Sequence, residues 1–157
     1  MRARETIRSL NRLIADCRRA ESFCRGCAQT RGASQLRSVL RHRSDEWGRY
    51  GDELQALVLM LGGEPVTRTG SGSWLWRRAL LAGKAMLLGS TEALVLEEWQ
   101  HEQRRVLNRY EEALKGYLAR RILRTVAGQA TRIQQRLQQI ESLRLEHALG
   151  PPDASRV

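Results

Sequence analysis

A chain of 157 residues with 41% hydrophobic content is one domain, long enough to bury a core without disulfide or metal staples. Its net charge of +10 is almost all arginine, Lys84 and Lys115 being its two lysines. No stretch approaches the roughly 20 apolar residues of a membrane span, and the basic N-terminus lacks the continuous apolar run of a signal peptide. Cytoplasm is therefore the expected location. Arginine grips phosphate in a bidentate fork, but here it falls on every predicted helix without interleaved aromatics. Weak, non-specific, salt-dependent nucleic-acid binding is the most that this charge implies.

Proline occurs at 65, 151 and 152, so long helices are permitted before Pro65. The spacing predicts helix 1 over about 3–29, with Ile7, Leu10, Ile14, Cys17, Glu21, Cys24 and Ala28 stepping by three and four along one face. Gly32 closes it, and Ser34 is placed to cap the next helix. Cys24 and Cys27 have the spacing of a metal or redox pair. No second Cys/His pair follows and no strand precedes them, so core packing is the expected role.

Helix 2 is predicted over about 35–62, with Leu36, Leu40, Arg43, Trp47, Tyr50, Leu54, Leu57 and Leu61 on its inner stripe. Its last turn, Leu57 to Leu61, is apolar all round and calls for cover on more than one side. Gly62-Gly63-Glu64-Pro65 stops it. A Gly/Ser-rich loop over 66–73 leads to a short Trp-bearing helix expected at 74–87. The loop lacks the strand and the Gly-Lys-Ser/Thr of a phosphate cradle.

Helix 3 begins after Ser90 and turns Val95, Trp99, Glu102, Val106, Tyr110, Ala113 and Tyr117 inward. Helix 4, about 121–148, presents Ile122, Val126, Gln129, Ile133, Leu137 and Ile140. Residues 1–149 form the expected bundle, and 150–157, opening Gly150-Pro151-Pro152, a disordered tail. Short links make helices 1–2 and 3–4 antiparallel hairpins. The link between helices 2 and 3, about 28 residues, is long enough to travel back along a helix at about 1.5 Å per residue. Helices 2 and 3 are then parallel. The expected fold is all-α: a ferritin-like four-helix bundle with one long crossover that contains a short helix.

In that order the chain resembles a group of small bacterial ferritin-like proteins defined as a domain of unknown function. The likeness rests on LNRLIADCRRAESF in helix 1, DELQALVLMLGGEPVTRTGS closing helix 2, and LEEWQHEQRRVLNRYEEAL in helix 3. It covers about residues 9–144, and its most specific passage is ELQ…LGGEP…GS. The resemblance implies a ferritin-like bundle, often a dimer, with no established activity.

Ferritin-like metal sites draw one Glu from each of two helices and a Glu-x-x-His from each of the other two. Glu21 and Glu102 occupy inner stripes, where a carboxylate needs a partner. Folding helix 1 onto helix 2 brings Glu21 level with Arg43. Folding helix 4 onto helix 3 brings Glu102 level with Arg136. One layer is expected to hold Glu21, Glu46, Glu98 and Glu102 with Arg43 and Arg136. It departs from the metal pattern, because Arg49 stands three residues after Glu46, Glu98-x-x-His101 lies on helix 3, and helix 4 offers Gln129, Arg132 and Arg136. Arginines in place of a dimetal centre make this a vestigial site. The alternative is an iron or manganese site using Glu21, Glu46, Glu98 and His101 or Glu102. His42 and His147 are expected at the surface, and no catalytic constellation is assigned.

Three functions follow. The first is a non-catalytic helical interaction protein, expected to be a homodimer because Val58, Leu59, Leu94 and Leu96 lie off the inner stripes. The second is a diiron-type carboxylate protein that oxidises or stores iron. The third is a basic module that binds nucleic acid or an anionic membrane.

Overall fold

The computed structural model describes residues 2–30, 32–67 and 91–149, and these are all helix, short turn or connecting chain. Among the described residues there are four long helices: α1 (Arg2–Ala28), α2 (Arg37–Met60), α3 (Thr91–Lys115) and α4 (Arg120–Leu149). A 3-10 turn, Ser34–Leu36, leads into α2. The crossover helix expected at 74–87 and the tail at 150–157 lie outside the described residues.

The three-four spacing of apolar side chains explains which faces meet. Leu10, Ile14, Cys17, Leu40, Leu54, Val95, Trp99, Val106, Ile122, Val126, Ile133 and Ile140 are all fully or almost fully buried. Removing the side chain of such a residue, as in Leu54→Ala, leaves a cavity and typically costs about 2–5 kcal/mol.

Contacts between named residues fix the directions. Ser44 lies beside Glu21, Asp52 beside Arg18 and Gly63 beside Ile7, so α1 and α2 run antiparallel. Tyr110 meets Cys17, Arg109 meets Asp16 and Thr91 meets Gly32, so α1 and α3 do too. Gln129 with Tyr110 and Glu141 with Arg104 make α3 and α4 antiparallel. Gln129 with Glu53 and Arg136 with Glu46 do the same for α2 and α4. Since α2 and α3 both oppose α1, they run parallel to each other.

The passage that closes α2 has a clear physical logic. Gly62 adopts a positive φ of 75°, which a side chain would strain. That conformation lets the Gly63 amide reach the Val58 carbonyl at 3.0 Å and the Gly62 amide reach that of Leu59 at 2.9 Å. These two bonds satisfy helix-end carbonyls. Gly63 packs so tightly that an added Cβ would stand 2.9 Å from Ile7. Beyond it, Asn11 of α1 brackets the chain, donating to the Glu64 carbonyl and accepting from the Val66 amide. Leu-Gly-Gly-Glu-Pro is thus a stop signal and a clasp onto α1.

Three expectations change. Ser34 opens the 3-10 turn, and no side-chain bond caps either that turn or α2. Tyr117, expected inward, is 71% exposed beyond the end of α3, and Arg2 stands over its ring at 4.9 Å. Val58, Leu94 and Leu96 are buried within the single chain, so they offer no surface to a second copy, whereas Leu59 is 59% exposed.

Candidate functional site

The seam between α2 and α4 is closed by charge. Arg136 donates from Nε to Glu46 Oε1 at 3.1 Å and from Nη2 to Glu46 Oε2 at 3.0 Å, a bidentate fork. Arg43 Nη1 approaches the same Oε2 at 3.6 Å, and the Tyr50 hydroxyl donates to Oε1 at 3.1 Å. Gln139 accepts from both Arg43 and Arg136. Glu46 is 5% exposed. Burial pushes its carboxyl up, but Arg136, Tyr50 and Arg43 together outweigh that and hold it below the ordinary carboxylate value. Burial, with Arg136 nearby, lowers the pKa of Arg43; the bond to Glu46 raises that of Arg136.

A second chain of hydrogen bonds crosses the middle of the bundle, and its polarity follows from valence. Gln129 Nε2 donates to Glu53 Oε2 at 2.8 Å and to the Tyr50 carbonyl at 3.4 Å, neither of which can donate back. Its Oε1 therefore faces Tyr110, whose hydroxyl donates to it at 2.7 Å. With that proton committed, the 3.2 Å contact between Cys17 and Tyr110 is a thiol donating to a hydroxyl oxygen. Cys17 must carry its proton. Complete burial agrees, pushing its pKa up to about 12 despite the bond to Tyr110. The chain touches all four helices: Cys17 on α1, Tyr50 and Glu53 on α2, Tyr110 on α3 and Gln129 on α4.

The residues singled out from sequence divide between these features and the bundle's flanks. Glu46, Arg43 and Arg136 come together as described. Glu21 does not join them, and the pair expected with Arg43 does not form. Its carboxylate takes Arg18 at 3.4 Å and Arg25 at 2.9 Å on its own helix. The reason is lateral: Gly48 on α2 leaves a notch that the Glu21 carboxylate fills, since a Cβ there would stand 3.2 Å from its Oε1. Arg43, by contrast, leaves α2 on the side of α4. Glu102 is buried and pairs with Arg105 at 2.6 Å, while the fork of Arg136 lies on Glu46. Glu98 is half-buried, and His101 is exposed in an open surface groove with Glu97, Glu98 and Arg104. His42 and His147 are exposed as well.

This arrangement does not fit a carboxylate-bridged dimetal centre. Both oxygens of Glu46 already accept from Arg136, Glu21 faces an outer seam, and His101 faces outward. Among the described residues, no three His, Cys, Asp or Glu side chains converge closely enough to hold a metal ion.

The family described as Domain of unknown function (DUF2383) matches residues 5–116. The chain belongs to that family. Among curated proteins none matches it significantly. The DUF2383 match spans α1 to α3 and stops before α4, so Gln129, Arg136 and Gln139 lie beyond it. The α4 side chains that complete both hydrogen-bond systems are therefore a property read from this chain itself.

Sequence reasoning overlooked Asp16. It is buried, held by Arg109 at 3.2 Å and Arg19 at 3.7 Å. Its signal was Arg19 three residues on, which turns two opposite charges toward each other on one helix flank. Cys27, set apart from the stripe of Cys17 and Cys24, is buried too. Among the described residues no helix is long and apolar enough to cross a membrane.

Proposed function

We propose that this protein is a non-catalytic, ferritin-like helical bundle, in which arginine–carboxylate pairing stands where a dimetal centre would, and that it works as a dimeric interaction protein. The parallel course of α2 and α3, which puts the end of α2 and the start of α3 at opposite ends of the bundle, supports the ferritin-like order. The carrying observation is the fork of Arg136 on Glu46. A guanidinium neutralises the buried carboxylate, takes up its lone pairs and repels a cation from the same place. In this reading Leu145 and Leu149, one turn apart on α4 and 66% and 84% exposed, offer an apolar contact for a second copy.

Elemental analysis and light scattering on one preparation test this reading. Protein expressed with iron and manganese supplied, and purified without chelators, should carry far less than one ion per chain and scatter as a dimer. Stoichiometric iron or manganese, lost in Glu46→Gln, would establish the diiron-type alternative instead. A monomer at high micromolar concentration would remove the dimer.

A further inference from the structure

The two ends of the bundle differ in kind. Where α1 and α4 begin, Arg4, Arg8, Arg12, Arg120, Arg121 and Arg124 are all exposed, and none pairs with a carboxylate among the described residues. At the opposite end, acids and bases interleave: Arg104 pairs with Glu141, Arg25 with Glu21, and His147 with Glu92. Acids are present at the first end too, Glu5, Glu64, Glu111 and Glu112, the last held by Lys115 at 2.6 Å, and Arg37, Arg41 and Arg144 stand exposed at the other; arginines without a carboxylate are still more numerous where α1 and α4 begin.

That end also carries most of the exposed large apolar side chains. Leu59 and Met60 project from the last turn of α2, Val66 follows them, and Leu123 lies on the first turn of α4. The antiparallel register of α2 and α4, with Glu46 level with Arg136 and Glu53 with Gln129, sets Leu59 level with Leu123. Unpaired cations and solvated aliphatic groups therefore share one end of the molecule.

We propose that this end is a docking surface for an anionic lipid bilayer, on which the bundle stands with α1 and α4 pointing away from the membrane. Arginine gains energy from the negative surface potential, and aliphatic side chains gain it from the boundary between headgroups and acyl chains. Charge and apolarity are complementary to such a surface together. A nucleic acid would use the arginines and leave Leu59, Met60 and Leu123 in water, because phosphate backbones offer no apolar contact. A second copy meeting this end symmetrically would bring two sets of unpaired arginines face to face, at a Coulombic cost.

Flotation of the full-length protein with vesicles tests the proposal, using phosphatidylcholine alone and phosphatidylcholine with a third phosphatidylglycerol. Binding should require phosphatidylglycerol and weaken with added salt. Neutralising three charges, Arg8→Gln with Arg121→Gln and Arg124→Gln, should lower affinity by about a hundredfold, given roughly a fivefold gain per surface cation. Leu59→Ser with Leu123→Ser, both at exposed positions, should lower it by about tenfold or more. Circular dichroism confirms that each variant folds. No binding to the anionic vesicles would overturn the proposal. So would binding that the serine variant leaves unchanged, together with equally tight retention of a DNA duplex by that variant, since it would mark a general polyanion surface. Preferential capture of an acidic amphipathic peptide over the vesicles would overturn it in favour of a protein partner.

Discussion

Arg136 reaches from α4 across a helix seam to grip both oxygens of Glu46, a carboxylate buried on α2. Arg43 and Tyr50 approach that carboxylate from its own helix. Glu46 is thus satisfied from two helices without an external ligand. Its neighbour in space, the Gln129 system, ties α1 and α3 to the same pair of helices.

Gln129→Leu keeps the volume and removes every hydrogen bond at the centre of that system. It takes from the buried Tyr110 hydroxyl its oxygen acceptor, leaving only Cys17 beside it, and deprives Glu53 of a donor, so unfolding in urea should show a loss of about 2–4 kcal/mol. A loss below about 0.5 kcal/mol would mean that these groups find water or new partners at no cost.

The directed bond from Cys17 to Tyr110 predicts inert thiols. All three cysteines are buried, and burial raises the pKa values of Cys17 and Cys24, so little reactive thiolate forms. A thiol reagent at about pH 8 should titrate three groups in denaturant and react with none over several minutes in the native protein. Rapid labelling of Cys17 in the native state would contradict the assigned proton.

Glu46 predicts a loss of stability in acid. Its carboxyl lies below the ordinary value of 4.5 when folded, so the folded state favours the ionised form. That contribution is fully present above the unfolded value and disappears as pH falls through the lower, folded one. Urea midpoints at about pH 6 and about pH 3.5 should therefore draw together when Glu46 is replaced by Gln. An equal fall in Glu46→Gln and the parent would show that other carboxylates carry the acid sensitivity.

The helices and their inner stripes were legible because apolar spacing reports directly on burial: Leu10, Ile14, Leu54, Val126 and Ile133 sit where the pattern puts them. Glu46, Arg43 and Arg136, assigned to one layer from the hairpin registers, do meet, although Arg136 was expected on Glu102. Partner choice was not legible. A helix position gives height to within a turn, whereas Glu21 was decided by its lateral placement against the notch at Gly48. Glu102 settled on Arg105, one turn along its own helix, a pairing that inter-helix reasoning passed over. Gln129 read as one more inner position. Its importance comes from Tyr110, Tyr50 and Glu53, which converge on it from two other helices.

The central claim is that arginine satisfies Glu46, and a double-mutant cycle on Glu46 and Arg136 measures this most directly. Arg136→Met leaves the carboxylate buried with only Arg43 and Tyr50 and should cost about 2–4 kcal/mol, below the full buried-pair value because Arg136 is partly exposed. Glu46→Gln should cost less, since the freed guanidinium can reach water. The double variant should cost about 1–3 kcal/mol less than the sum of the two single changes, the coupling expected of groups in direct contact. Losses that add to within about 0.5 kcal/mol would show that the two residues are neighbours without being partners, and would contradict the account.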